Sequence, residues 1–142
     1  TVRLVPMPPC PDGVNPKTFK LLHGLTLASH PLVAVLDDDT VLPPHGLTTA
    51  ISYLDQAGVG LAFGLPYYVY FGNFWSGLVS CFVNSQSLLM YIPYTFFSAP
   101  VTLNGMFYVL KKTLFQTIAQ NPDFQHQLTD DYAVAQLVRQ HG

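Results

Sequence analysis

Apolar and polar positions along the chain change their spacing several times, and each change marks a predicted element. Residues 2–6 read as a short strand, ended by the loop PPCPDGVNP, whose Pro and Gly exclude regular structure. Asn15 then sits where a helix N-cap belongs, with Pro16 at the first helical position, and Phe19, Leu22 and Leu25 keep helical spacing through about Ala28. PLVAVL (31–36) is too short and too uniformly apolar to be half exposed, which predicts a buried parallel strand. A second helix is expected over about 44–57, stopped by Gly58, and VGLAFGL gives another apolar strand. Farther on, NGMFYVL predicts a strand, KKTLFQTIA a helix, and TDDYAVAQLVRQHG a last helix capped by Thr129 and ended by Gly142. Strand and helix alternate, so the expected class is α/β, with a mainly parallel mixed sheet in one domain.

The middle departs from this alternation, because no Asp, Glu, Lys, Arg or His occurs from Gln56 through Leu110. Within it, FWSGLVSCFVNSQSLLMYI (74–92) has helical potential. However, Ser76, Ser80, Asn84, Ser85, Gln86 and Ser87 interrupt the apolar run, and a membrane-crossing helix needs roughly 20 predominantly apolar residues. An interfacial helix or the wall of an apolar groove fits better. Tyr67, Tyr68, Tyr70 and Trp75 are the amphipathic aromatics expected at headgroup level, and the Ser/Asn/Gln face of residues 76–87 is expected to meet water or a polar ligand. With a mean hydropathy of +0.29, something other than water is expected to touch this surface. The six Lys and Arg are scattered and the net charge is −2, which argues against nucleic acid as a partner. Cys10 and Cys81 form no CxxC pair and the histidines show no HxH or HExxH spacing, so neither a zinc site nor a disulfide framework is indicated.

Candidate chemistry lies in the acids. There is no glutamate, and five of the eight acids fall in two clusters, Asp37-Asp38-Asp39 and Asp130-Asp131. Like charges so close cost free energy unless cations or hydrogen-bond donors offset it. The first cluster follows an apolar strand, where α/β sheets bind ligands, and Asp37 and Asp39 have the chemistry to hold a hard divalent cation carrying a diphosphate. The same aspartates also serve as ordinary turn residues, and Asp130 and Asp131 as acids favoured by a helix N-terminus. Lys17 is either a solvated helix lysine or a phosphate ligand near a helix N-terminus.

The order of the short motifs GVNPK (13–17), LDDDTVLPP (36–44), GLPY (64–67), NGMFYVLKK (104–112) and TDDYAVAQLVRQHG (129–142) resembles the ceramide glucosyltransferase family. The resemblance implies a membrane-associated, inverting enzyme with the Rossmann-like type-A glycosyltransferase fold, its active site on the cytoplasmic side. It would transfer a hexose, glucose by the family pattern, from a UDP-sugar to a lipid hydroxyl such as ceramide or a related bacterial lipid. By the same resemblance Asp37 and Asp39 bind Mg2+ or Mn2+ and Asp131 is the catalytic base. Asn15, Lys17 and Asp38 lie on the donor side, and Gly64, Pro66, Tyr67, Gly105, Met106 and Asp130 on the acceptor side. The chain then reads as a partial catalytic domain, with the first nucleotide-binding strand expected before Thr1 and a Q/R-x-x-R-W motif after Gly142. Two alternatives stand beside it: part of a processive polysaccharide synthase, and a non-catalytic module at a membrane interface.

Overall fold

The computed structural model describes residues 3–69, 71–97, 101–127 and 129–141. Val2, Tyr70 and Gly142, which figure in the expected first strand, the aromatic belt and the last helix stop, lie outside the described residues.

Local signals set the first helix, α1 (Pro16–Leu27). The Asn15 side chain accepts hydrogen bonds from the Lys17 and Thr18 amides, and Pro16 supplies the fixed φ of the first turn. Residues 3–6 form no strand, a correction to the expected short strand over 2–6; Leu4 is exposed and Val5 is only partly covered, too little to hold an extended segment against the core. Strand β1 (Leu32–Leu36), helix α2 (Gly46–Leu54) and strand β2 (Leu61–Phe63) follow in the expected order. Helix α2 ends at Leu54, before Gly58, whose φ of 78° belongs to the turn that leads into β2.

The expected parallel sheet is corrected here. The three strands lie in the order β1-β3-β2, where β3 spans Phe107–Lys111, and both neighbours pair with β3 antiparallel. Strands β1 and β2 do run the same way, as a strand–helix–strand unit should, but β3 is inserted between them in the opposite direction. A run of apolar residues carries no information about strand direction, so the sequence leaves this open. Strand β1 is consequently an edge strand among the described residues: Val33 and Val35 pack inward while Leu36 is exposed. It is half-buried, where PLVAVL had suggested full burial.

Strand β3 divides the core by its alternation. Tyr108 and Leu110 face the larger cluster, shared with α1, α5 (Lys112–Ala119) and α6 (Asp130–His141), while Phe107 and Val109 face the smaller one under α2. Leu114, Phe115 and Ile118 on α5 are buried against the first face, each a burial worth about 1.5–3 kcal/mol. Between α5 and α6 runs a 3-10 turn, Pro122–His126, with Asn121 at its head.

The uncharged middle folds as α3 (Phe74–Gln86), a π-helical turn (Ser87–Tyr91) and a short α4 (Ile92–Thr95). Its polarity is reversed relative to a helix of a water-soluble core. Trp75, Phe82 and Leu88 are 71%, 66% and 54% exposed, while Ser80, Asn84 and Ser87 turn inward. Asn84 bonds both the amide and the carbonyl of Tyr68, at 2.8 and 3.0 Å, and the Ser87 hydroxyl donates to the Pro66 carbonyl at 2.9 Å. Of the Ser/Asn/Gln face expected to meet water or a polar ligand, Ser85 and Gln86 are exposed, whereas Asn84 and Ser87 satisfy backbone groups of residues 66–68, which have no sheet partner of their own. Ser76 closes a capping box with Asn73, and Ser80 is buried, donating to the Ser76 carbonyl. No described helix is long and apolar enough to cross a membrane.

Candidate active site

Two backbone hydrogen bonds carry the sheet ladder one step past its strands. The Asp37 amide donates to the Met106 carbonyl at 2.9 Å, and the Gly64 amide to the Phe107 carbonyl at 3.0 Å. Asp37, Gly64, Gly105 and Met106 are thereby gathered at one end of the sheet, although they come from three separate motifs. Asn104 shapes the approach to β3, its side chain accepting from the Met106 amide at 3.1 Å.

The ends of α1 and α6 meet at this place because Asn15 ties them together. Its amide donates to the Gln125 carbonyl and its side-chain nitrogen to the Gln127 carbonyl, just ahead of α6. Lys17, two residues on, reaches into the space between the two acid clusters. Its Nζ lies 3.1 Å from Asp37 Oδ1 and 3.6 Å from Asp130 Oδ2, and it donates to the Gly105 carbonyl at 3.2 Å. The charge repulsion between the clusters is thus offset by one lysine at their centre. Burial alone would lower the Lys17 pKa, but the Asp37 hydrogen bond and the charges of Asp130, Asp37 and Asp131 outweigh it and push it above the usual lysine value.

The Asp131 carboxylate is held differently. Oδ2 accepts from the Gly105 amide at 3.1 Å, while Oδ1 is buried without a hydrogen-bond partner among the described residues. Burial, then the neighbouring Asp130 charge, raise its pKa above the ordinary carboxylate range, against the lowering effects of Lys17 and the Gly105 amide. One oxygen is fixed and the other keeps an unused acceptor capacity in a desolvated place, a chemistry compatible with a proton acceptor. The Asp130 Oδ2 atom is likewise without a hydrogen bond, since its 3.6 Å approach to Lys17 is an ion pair only.

The resemblance to a glycosyltransferase stated from the motifs is supported by comparison with known families. The family model described as glycosyl transferase family 21 matches residues 2–142. The chain belongs to glycosyl transferase family 21. This is the ceramide glucosyltransferase family, whose members carry a sugar from a nucleotide-sugar donor to an acceptor. No solved structure matches the chain.

Within this family 21 domain, Asp37, Lys17, Gly105, Met106, Asp130 and Asp131 come together in one cluster, with Gly64 at the adjoining sheet end. Asp38 and Asp39 are exposed beyond Asp37. Pro66 receives the Ser87 hydroxyl, and Tyr67, 68% exposed, points away to the surface of the apolar segment. Two residues went unremarked in the sequence. Tyr91, at the end of the π-helical turn, packs edge-on against Phe63, and its phenol pKa is raised by burial and by the charge of Asp131, which places the uncharged segment near that carboxylate. Tyr108 is fully buried on β3 with its hydroxyl unpartnered among the described residues, and burial together with the charges of Asp130, Asp131 and Asp37 keeps it neutral. The π-helical turn was not foreseeable from apolar spacing, whereas Tyr108 follows from strand alternation once β3 is known to be central.

Oxygen donors for a cation stand at the end of β1. Asp37 and Asp39 flank Asp38, and the buried Thr40 hydroxyl beside them has no hydrogen-bond partner among the described residues. These hard oxygen atoms suit Mg2+ or Mn2+ rather than a thiolate- or imidazole-seeking metal. Among the described residues no three His, Cys, Asp or Glu side chains are arranged to hold a metal by themselves. A cation there would share its coordination with water and a diphosphate, and would compete with Lys17 for Asp37.

Proposed function

We propose that this domain is an inverting hexosyltransferase that moves glucose from UDP-glucose to the hydroxyl of a lipid, ceramide or a related bacterial lipid, at the cytoplasmic surface of a membrane. The observation that supports it best is the Asp131 carboxylate, anchored through Oδ2 and with Oδ1 buried and unpartnered among the described residues, beside a lysine that also touches the donor-side Asp37. Lys17 orients the donor diphosphate, and Asp37 and Asp39 would hold the cation that accompanies it. When bound, that cation neutralises the charge growing on the diphosphate as the glycosidic bond breaks. Asp131 takes the proton from the lipid hydroxyl as that oxygen attacks the anomeric carbon in line with the departing diphosphate, so the configuration inverts. Asp130 stays paired with Lys17, and no further carboxylate among the described residues joins the cluster to act as a covalent nucleophile.

A lipid acceptor is favoured over a growing polysaccharide by the reversed polarity of α3. Its aromatic and aliphatic side chains are exposed together, and Ser80, Asn84 and the following Ser87 spend their polar groups internally, a surface suited to hydrocarbon. Leu88→Asp in the full-length enzyme is expected to reduce transfer to lipid in vesicles while leaving slow hydrolysis of UDP-glucose by water intact. Equal loss of both activities would instead mark Leu88 as a structural residue. The decisive experiment for the whole reading is transfer from radiolabelled UDP-hexoses to ceramide and other hydroxylated lipids in detergent-lipid micelles. Product with an inverted anomeric centre is expected, and failure with every donor and lipid would overturn it.

The same geometry fixes a pH dependence. A base must be ionised to act, and the Asp131 pKa is raised, so the acidic limb of kcat/KM is expected above the ordinary carboxylate range and absent from the residual activity of Asp131→Asn. An acidic limb at the usual carboxylate pKa would assign the base elsewhere.

A further inference from the structure

Gly105 touches both halves of the cluster. Its carbonyl accepts from Lys17 Nζ at 3.2 Å and its amide donates to Asp131 Oδ2 at 3.1 Å. A Cβ at this position would lie 2.5 Å from Asp131 Cγ and 2.6 Å from Oδ2, with Oδ1 closer still. The backbone is not what demands glycine here, because the φ of Gly105 lies outside the left-handed region, unlike those of Gly13 and Gly58. The steric requirement comes from the carboxylate: Asp131 occupies the volume that any side chain at residue 105 would fill.

On the reading that Asp131 is the base, we infer that Gly105 is its positioning residue. The bare Cα forms a seat on which the carboxylate rests against the backbone, and the amide fixes which oxygen is bound and which keeps its acceptor capacity unused. Because the same residue's carbonyl holds Lys17, one glycine sets the register between the donor-side cation and the acceptor-side base. A methyl group would lift the carboxylate from its seat while leaving both backbone hydrogen-bonding groups of residue 105 in place, so the predicted damage falls on the base and spares the donor. A displacement of about 1 Å in a reacting group can cost roughly 100-fold in rate.

The test uses the full-length enzyme in detergent-lipid micelles. Gly105→Ala is expected to lower kcat by about 100-fold with the dissociation constant of UDP-glucose unchanged. In an Asp131→Asn background the same substitution should lower the residual rate no further, since groups acting as a unit are not additive. An equal fall in both backgrounds would show that Gly105 acts independently of the base and would overturn the inference. Folding is checked separately: Gly105→Ala should lower Tm, and adding Asp131→Gly should restore it by vacating the contested space. A Tm that stays low in the double variant would mean that the collision is not with Asp131. If Asp131→Asn itself keeps full turnover, the base reading fails; if Asp131→Asn is inactive but Gly105→Ala turns over normally, only the positioning role fails.

Discussion

Asp131→Asn is expected to cut glycosyl transfer by about 10² to 10⁴, the usual contribution of a positioned base, while UDP-glucose still binds. Asn keeps an oxygen able to accept from the Gly105 amide, so the local fold has what it needs, and only the proton acceptor is lost. Stability should move the other way. A carboxylate whose folded pKa is raised stabilises the fold in its protonated form, fully below the unfolded pKa, and that contribution is lost as pH rises through the folded value. At neutral pH Asp131 is therefore a charged liability beside Asp130, and replacing it with a neutral isostere should raise Tm. Activity kept, or Tm lowered together with donor binding, would reduce Asp131 to an acid in the first turn of α6. The assay is a paired measurement of kcat, donor affinity and thermal unfolding.

Asp37→Ala should weaken metal-dependent binding of UDP-glucose by at least about 10- to 100-fold, since even residues one step removed from a metal carry that much of its affinity. The fold should hardly notice. The Lys17–Asp37 pair is about a third exposed, and such pairs contribute roughly 0–1 kcal/mol; Lys17 also keeps Asp130 and the Gly105 carbonyl. Calorimetric titration of the donor with and without Mn2+ separates the two effects. Equal affinity of mutant and wild type in saturating Mn2+ would remove Asp37 from the metal site.

Features written into neighbouring residues were legible in the sequence, and features set by distant ones were not. The start of α1 could be read because Asn15 caps Lys17 and Thr18, and Pro16 fixes the first turn, all within four residues. The antiparallel sheet could not, because LVAVL and FYVLK pair equally well in either direction and only the return of the chain between β1 and β2 decides it. The acids were visible as clusters, yet nothing in their spacing shows Lys17 standing between them, nor that Gly105 lies beneath Asp131. The inward turn of Asn84 and Ser87 was also hidden. A polar side chain on a helix is ordinarily assigned to water, and here the unpaired backbone of residues 66–68 competes for it and wins. Both readings of Asp130 and Asp131 survive in one structure, since they occupy the first turn of α6 and also face the cluster.

The cluster is assembled from pieces remote in the chain: Lys17 and Gly105 are 88 positions apart, and the Asn15–Gln127 bond that brings α1 to α6 spans 112. Closing loops of that size costs entropy before any contact returns it, so the helices can form well before these contacts do, while β1 and β2 must wait for β3, their common partner. Until α6 docks, Asp130 and Asp131 have no lysine beside them and gain little from being near Asp37. The polar site is therefore expected to be unformed in the folding transition state. Substitutions at Lys17 or Asp130 should then alter how quickly the native state is lost, with little change in how quickly the chain first folds.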